Sequence, residues 1–254
     1  APSIAEEWGT ADQGKTWTFK IREGVKWVDM NGNEKGEVVA EDFATGLEWV
    51  LNFYKNDSSN TSMPLEMIEG AEEYYEYTKT LSKEEAYALT ADEGSKFRET
   101  VGIETPDEYT VVYTCLAEKP YFDTLATYQS LYPMSKAMIE ELGGIDATKA
   151  MNNETMWYNG PYTMTSYIQG NEKIFTKNPL YWDTECTRFN TVTFKMVEST
   201  DVAFQLYQAG DLDYVDLSES NLTTIARDPN NEYYDYLVPA VPSKHSYQFH
   251  FNYN

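Results

Sequence analysis

The sequence predicts an α/β fold, a layered domain with a mixed β-sheet and flanking helices. Three observations point there. Segments with the two-residue period of a half-buried strand interleave with segments of helical period, without strict β-α-β alternation. The 254 residues, 41% of them hydrophobic, suffice for a sizeable core and argue against disorder. No run of about 18 apolar residues occurs, the least a membrane-spanning helix needs.

The elements follow in order. At Thr16–Arg22, Trp17, Phe19 and Ile21 share one strand face, and Thr16, Thr18, Lys20 and Arg22 the other. Turns follow at Glu23-Gly24 and Asn31-Gly32-Asn33. A helix is predicted over Ala40–Asn56, where Phe43, Leu47, Leu51 and Tyr54 make one apolar stripe. Glu41 and Asp42 sit in its first turn, where the helix dipole favours negative charge. Ser58–Pro64 reads as loop and Leu65–Tyr77 as helix. Ser82 and Glu85 have capping-box spacing and open a helix running to Glu99, interrupted near Gly94. Val101–Thr105 and Tyr109–Leu116 make a hairpin across Pro106-Asp107-Glu108. A short helix at Pro120–Tyr128 precedes one capped by Ser135 and stopped at Gly143-Gly144. Tyr162–Ile168 and Glu172–Lys177 flank Gln169-Gly170-Asn171, the clearest hairpin signal in the chain. Asn190–Val197 reads as strand, Asp201–Gln208 as a helix ended by Gly210, and Leu212–Val215 and Ser246–Asn252 as strands.

Charge and chemistry narrow the function. The 42 acidic residues outnumber 19 basic ones, for a net charge of -23. Such a surface repels phosphate backbones, so no nucleic-acid partner is expected. Solvation alone accounts for it; an acidic groove for cationic ligands is the sharper reading. Cys115 and Cys186 form neither a disulfide framework nor a metal-binding spacing, and Cys115, alternating with Val111 and Tyr113, is expected to be buried and inert. His245 and His250 fall on opposite strand faces, which argues against a shared metal, and no metal or cofactor is expected. No zincin, EF-hand, P-loop or nucleophile-elbow motif marks a catalytic residue, so the chain reads as no enzyme. The N-x-S/T triplets at Asn56, Asn60, Asn153 and Asn221 are at chance level for so polar a chain. The 21 tyrosines suit ordinary strands and ligand clefts alike. No basic and apolar leader opens the sequence, so Ala1 is expected to mark a processed or engineered boundary.

Residues 11–27, a polar turn, the alternating strand, the turn at Glu23-Gly24 and an aromatic stop at Trp27, resemble the signature of the family 5 extracellular solute-binding proteins, the peptide receptors of ABC importers. Further stretches fall in that family's order. Val39-Ala40-Glu41-Asp42-Phe43 resembles its Thr-Ala-Glu-Asp-Val helix start, with Val39 in place of the capping threonine. Val101–Val112 resembles its second hairpin, and Pro120-Tyr121-Phe122 and Tyr132-Pro133-Met134-Ser135-Lys136 its next landmarks. Asn159-Gly160-Pro161-Tyr162, Asn178-Pro179-Leu180-Tyr181-Trp182 and Tyr207–Asp213 are similar to its Asn-Gly-Pro-Tyr, Asn-Pro-x-Tyr-Trp and Tyr-x-x-Gly-Glu-Leu-Asp motifs.

The resemblance implies a periplasmic-binding-protein-like (type II) lobe. Residues 1–254 would be the first lobe of a bilobal receptor, with a helical and hairpin subdomain at about 28–160 and a sheet portion from 1–27 and 161–254. It further implies a secretion or lipid-anchor signal and a leading strand before this region, and a second lobe after a strand like Tyr247–Asn252. The implied function is capture of extracellular oligopeptides as the substrate-binding component of an ABC importer. The implied partners are a peptide ligand and ABC permease subunits. The implied place is the outer face of the cell membrane, held by an N-terminal lipid anchor, or the periplasm. Two lobes closing on a stretched peptide would pair its main chain at strand edges and leave its side chains in hydrated pockets. The matching segments offer three candidate groups: Asp216, Leu217 and Ser218; Tyr128, Gln129 and Ser130; and Tyr158. Each has a plainer alternative, respectively a loop exit, packing beneath a sheet and a structural turn. Ser62 and Met63 match a contact position poorly. The family's acidic residue for the peptide ammonium lies on the second lobe. Other members bind nickel complexes, haem or oligosaccharides on the same scaffold, and a secreted hydrolase domain remains open as an alternative.

Overall fold

The computed structural model describes residues 3–56, 61–149 and 151–239. The chain divides into two compact units, 1–194 and 195–254. The first unit opens with β1 (Ala5–Gly9), β2 (Thr16–Ile21), β3 (Lys26–Val28), β4 (Glu34–Glu37) and the helices α1 (Ala40–Leu51), α2 (Ser62–Met67), α3 (Ala71–Lys79), α4 (Lys83–Tyr87) and α5 (Lys96–Thr100). It continues through β5 (Ile103–Asp107), β6 (Thr110–Thr114), α6 (Phe122–Leu125), α7 (Lys136–Glu141), α8 (Ile145–Thr148), β7 (Tyr162–Ile168), β8 (Glu172–Lys177) and β9 (Thr191–Lys195).

A four-stranded sheet of order β1-β2-β6-β5 carries the main core. Its strands pair antiparallel, with Phe19 opposite Val111 and Trp17 opposite Tyr113. The predicted alternation of β2 holds: Trp17, Phe19 and Ile21 are buried while Thr18 and Lys20 are exposed. Leu47 and Leu51 of α1, Tyr74 of α3 and Phe97 of α5 join the same core. Burial of each large side chain stabilises by about 1.5–3 kcal/mol, so this face dominates the unit. The sheet joins residues 5–21 to 103–114.

Helix α1 ends at Leu51, earlier than its apolar spacing suggests, because Asn52 leaves the helix. The Asn52 amide donates instead to Glu48 Oε1 at 2.9 Å and to the Ala86 carbonyl at 2.8 Å. Around it lies a buried polar cluster. Lys55 pairs with Glu48 at 2.6 Å, Tyr74 Oη donates to Glu48 at 2.8 Å, and Lys55 reaches the Leu89 carbonyl at 2.7 Å. At the other end Val39 has no side-chain acceptor. Asp42 supplies half of a capping box by accepting from the Val39 N–H at 3.1 Å.

The helix expected at Leu65–Tyr77 is two, α2 and α3, broken at Gly70. That residue has φ +71, and a Cβ there would lie 1.7 Å from the Thr100 carbonyl oxygen. Helix α2 also reaches back over Ser62–Pro64, expected as loop. The segment to Glu99 is likewise two helices, α4 and α5. Ser82 caps α4 by accepting from the Glu85 N–H at 3.2 Å, while Glu85 accepts from the Ser82 N–H at 2.8 Å. The β5–β6 turn falls at Glu108-Tyr109, with Pro106 inside β5, an edge strand that tolerates its missing N–H. Ser135 Oγ caps α7 through the Met138 N–H at 3.3 Å. The β7–β8 hairpin turns where expected and lies in a three-stranded sheet of order β7-β8-β9.

In the second unit, α9 (Thr200–Gln208) and α10 (Glu219–Ala226) are the α-helices among the described residues. Phe204, Tyr207 and Tyr233 form an aromatic cluster, with Phe204 and Tyr233 centroids 5.5 Å apart. The strand expected at Leu212–Val215 does not form. These residues pair with no strand among those described, and Tyr214 is 75% exposed. Alternation marks a surface, but a strand needs a neighbour to bond. The strand expected at Ser246–Asn252, with His245 and His250, lies outside the described residues.

Candidate ligand site

The first unit holds a cavity of about 870 Å³. One wall is the apolar face of the main sheet, through Phe19, Ile21, Val111 and Tyr113. Trp27 and Trp157, both buried, form a second wall, and Tyr158 and Trp182 extend it. The rim carries Trp8 and Tyr132, 40% and 58% exposed.

The local structure fixes these rings. Trp27 Nε1 donates to Asp42 Oδ2 at 2.8 Å, tying the ring to the first turn of α1. Burial pushes the Asp42 carboxyl up to about 6, against the Trp27 and Val39 hydrogen bonds that favour its charged form. Tyr158 is held by a two-way bridge to Val28, with both N–H···O distances 2.8 Å. Its hydroxyl donates to the Asn153 carbonyl at 3.0 Å, and burial pushes it up to about 12. The Arg22 guanidinium lies 4.1 Å from the Trp182 ring centroid, a cation–π contact. Gly46 of α1 lets the Tyr132 segment lie against the helix, since a Cβ there would sit 2.3 Å from the Tyr132 carbonyl oxygen. Tyr113 packs edge-on to Phe19, and burial raises its hydroxyl far above the ordinary tyrosine value, so it stays protonated. That hydroxyl has no hydrogen-bond partner among the described residues.

Of the expected site residues, Tyr158 lines this cavity. Tyr128, Gln129 and Ser130 do not, though Thr127 and Leu131 on either side do. Tyr128 and Gln129 are exposed, while Ser130 is buried with its hydroxyl unpartnered among the described residues. Asp216, Leu217 and Ser218 belong to the second unit. There Asp216 accepts from the Tyr214 hydroxyl at 2.9 Å, and Leu217 is half-buried. Ser218 caps α10 through the Asn221 N–H and donates to Asp201 at 2.8 Å. Trp8, Trp27, Trp157 and Trp182 line the cavity as well and are not among the candidate site residues of the sequence, although Trp157 adjoins Tyr158. The adjacent aromatic pairs Trp157-Tyr158 and Tyr181-Trp182 were the available signal.

Cys115 is buried, and burial pushes its thiol up to about 11, which leaves it unreactive. Among the described residues, no group of three or more His, Cys, Asp or Glu side chains gathers to hold a metal ion. No described helix is long and apolar enough to cross a membrane.

An α/β lobe of this kind, with helices packed on its sheets, has the periplasmic-binding-protein-like fold. Burkholderia pseudomallei OppA superposes with a TM-score of 0.72 at 23% identity, covering 89% of this chain and 39% of its own. Haemophilus influenzae OppA, solved in complex with RPPGFSPFR, superposes with a TM-score of 0.71 at 27% identity, covering 91% and 40%. The chain belongs to the bacterial extracellular solute-binding proteins, family 5, whose profile matches residues 1–254. Among curated relatives, the periplasmic oligopeptide-binding protein OppA of Haemophilus influenzae is 35% identical over 215 residues, 84% of this chain and 34% of its own length. The oligopeptide-binding protein AmiA of Streptococcus pneumoniae is 30% identical over 203 residues, 79% of this chain and 28% of its own. The chain thus spans about a third of the length of these relatives.

Proposed function

We propose that this chain is the first lobe of an oligopeptide receptor that serves an ABC importer on the outer side of the cell membrane. Its membership of the solute-binding family, with relatives named for oligopeptide binding, is the observation that carries this reading. The receptor does no covalent chemistry: it selects a peptide, closes on it and presents it to the permease. Differential affinity of the peptide for the closed state drives the closure. An N-terminal lipid anchor or retention in the periplasm keeps it there. Within the first unit, Tyr158 faces the guest.

Mass spectrometry of molecules co-purifying with the full-length receptor tests the reading directly. A mixture of short peptides is expected. Recovery of a metal complex, haem or a sugar in their place, with no peptide, overturns it. Residues 1–254 alone bind peptide more weakly than micromolar, because the partner lobe supplies the other contacts.

A further inference from the structure

Two Asn-Gly pairs occur in the chain, Asn31-Gly32 and Asn159-Gly160. Asparagine before glycine is open to self-modification, because glycine has no Cβ to keep its nitrogen away from the asparagine carboxamide. The structure treats the two pairs differently. Asn31 is exposed in the turn between β3 and β4. Its N–H donates to Asp29 Oδ1 at 2.8 Å, but its carboxamide has no partner among the described residues. The neighbouring Asn33 carboxamide, by contrast, is clamped to Asp29 Oδ2 at 2.8 Å. A single turn bond, from the Gly32 N–H to the Asp29 carbonyl at 3.0 Å, restrains the attacking nitrogen. Gly32 itself is required: it has φ +80, and a Cβ there would lie 2.8 Å from Pro179. Asn159 is half-buried in the cavity lining and held from both sides. Tyr158 and Val28 exchange two backbone bonds of 2.8 Å, and the Gly160 carbonyl accepts from Asn178 Nδ2 at 2.9 Å. Pro161 then fixes the next φ. Ring closure needs the asparagine backbone to turn, and these restraints oppose it at Asn159.

We infer that Asn31 is a site of spontaneous modification, deamidated to aspartate and isoaspartate. The Gly32 backbone nitrogen loses its proton and bonds to Asn31 Cγ. The Cγ–Nδ2 bond breaks, and the amide nitrogen takes up a proton and leaves as ammonia. Solvent water, the one co-reactant, then opens the cyclic imide. Cleavage between the ring nitrogen and Cγ gives aspartate; cleavage on the other side of that nitrogen gives isoaspartate, with one more carbon in the main chain. Either product sets a new carboxylate near Asp29, which already accepts from the Asn31 N–H, the Asn33 N–H and the Asn33 carboxamide. Like charges so close repel. The turn is also a joint: the Met30 carbonyl accepts from Thr163 Oγ1 at 2.8 Å, and the Val28–Tyr158 bridge lies just before it. Modification therefore loosens that joint slowly and in one direction. The chemistry needs no ligand and is independent of what the receptor carries.

The test holds the full-length receptor for weeks at neutral pH and body temperature, then reads its tryptic fragments by tandem mass spectrometry. Cleavage after Lys26 and Lys35 isolates residues 27–35 with Asn31, and cleavage after Lys149 and Lys173 isolates residues 150–173 with Asn159. A gain of about 1 Da at Asn31, part of it as isoaspartate, is expected at a rate at least about tenfold above that at Asn159. Raising the pH is expected to speed it, because the nucleophile is the ionised amide nitrogen. Asn31→Gln, whose longer side chain closes a ring far more slowly, is expected to abolish the gain at this position. The Tyr158 amide is expected to exchange its hydrogen faster in the aged wild type than in aged N31Q. An unchanged Asn31, or an Asn159 that reacts as fast or faster, overturns the site. Equal exchange at Tyr158 in the two aged proteins overturns the loosening of the joint.

Discussion

Replacing Lys55 by methionine leaves the Glu48 carboxylate buried without its counter-charge. Both side chains are at most 4% exposed, and their charged atoms are 2.6 Å apart. At an effective dielectric near 20 their attraction amounts to about 6 kcal/mol, most of it opposing the cost of bringing both charges out of water. Removing one partner exposes that cost, typically about 3–5 kcal/mol. The Leu89 carbonyl also loses its donor, at 2.7 Å in the wild type. Tyr74 and Asn52 still donate to Glu48, which keeps the penalty from growing further. Lys55→Met is therefore expected to destabilise by about 3–5 kcal/mol, measured by urea unfolding with tryptophan fluorescence. Adding Glu48→Gln, which keeps a partner for Tyr74 without the charge, is expected to restore at least about half of the loss. A single-variant effect below about 1 kcal/mol, or a double variant no better than the single, would refute the argument.

Three further outcomes follow from the geometry. Asp42 titrates near 6 in the folded protein against 3.8 as its ordinary value, so its contribution is fullest below about pH 4 and is lost as pH rises to 6. Asp42→Asn is accordingly expected to raise stability by about 1–3 kcal/mol at pH 7 and by little at pH 4, in thermal unfolding across pH. Gly70→Ala forces a side chain onto the Thr100 carbonyl at a left-handed backbone position, and is expected to lower stability by at least about 2 kcal/mol in the same assay. A maleimide at pH 7 is expected to label Cys186, which is exposed, and to spare the buried Cys115 until the protein unfolds; labelling of both in native buffer would contradict the packing.

Local signals in the sequence mapped closely onto local structure. The alternation of Trp17, Phe19 and Ile21, the capping spacing of Ser82 and Glu85, the Ser135 cap and the Gln169-Gly170-Asn171 turn are settled within a few residues of chain, and each holds. The misreadings arose where a distant group decided the outcome. Asn52 leaves α1 because its amide has work at Ala86, and Gly70 breaks a helix beneath the Thr100 carbonyl. Residues 212–215 alternate well enough but find no partner strand among those described. The cavity was the least legible feature of all. Trp8, Trp27, Tyr132, Trp157 and Trp182 converge from five stretches of chain, and no periodicity records which aromatic residues will meet.

The position of β2 between β1 and β6 has a consequence during synthesis. Lys20 and its partner Thr110 are 90 residues apart in the chain. At roughly 5–20 residues per second, a ribosome needs some 5–18 s to deliver β6 after β2. Throughout that interval the edge of β2 that pairs with β6 has no strand to bond. An unpaired strand edge is aggregation-prone until its neighbour arrives. The strand order itself sets how long that edge waits.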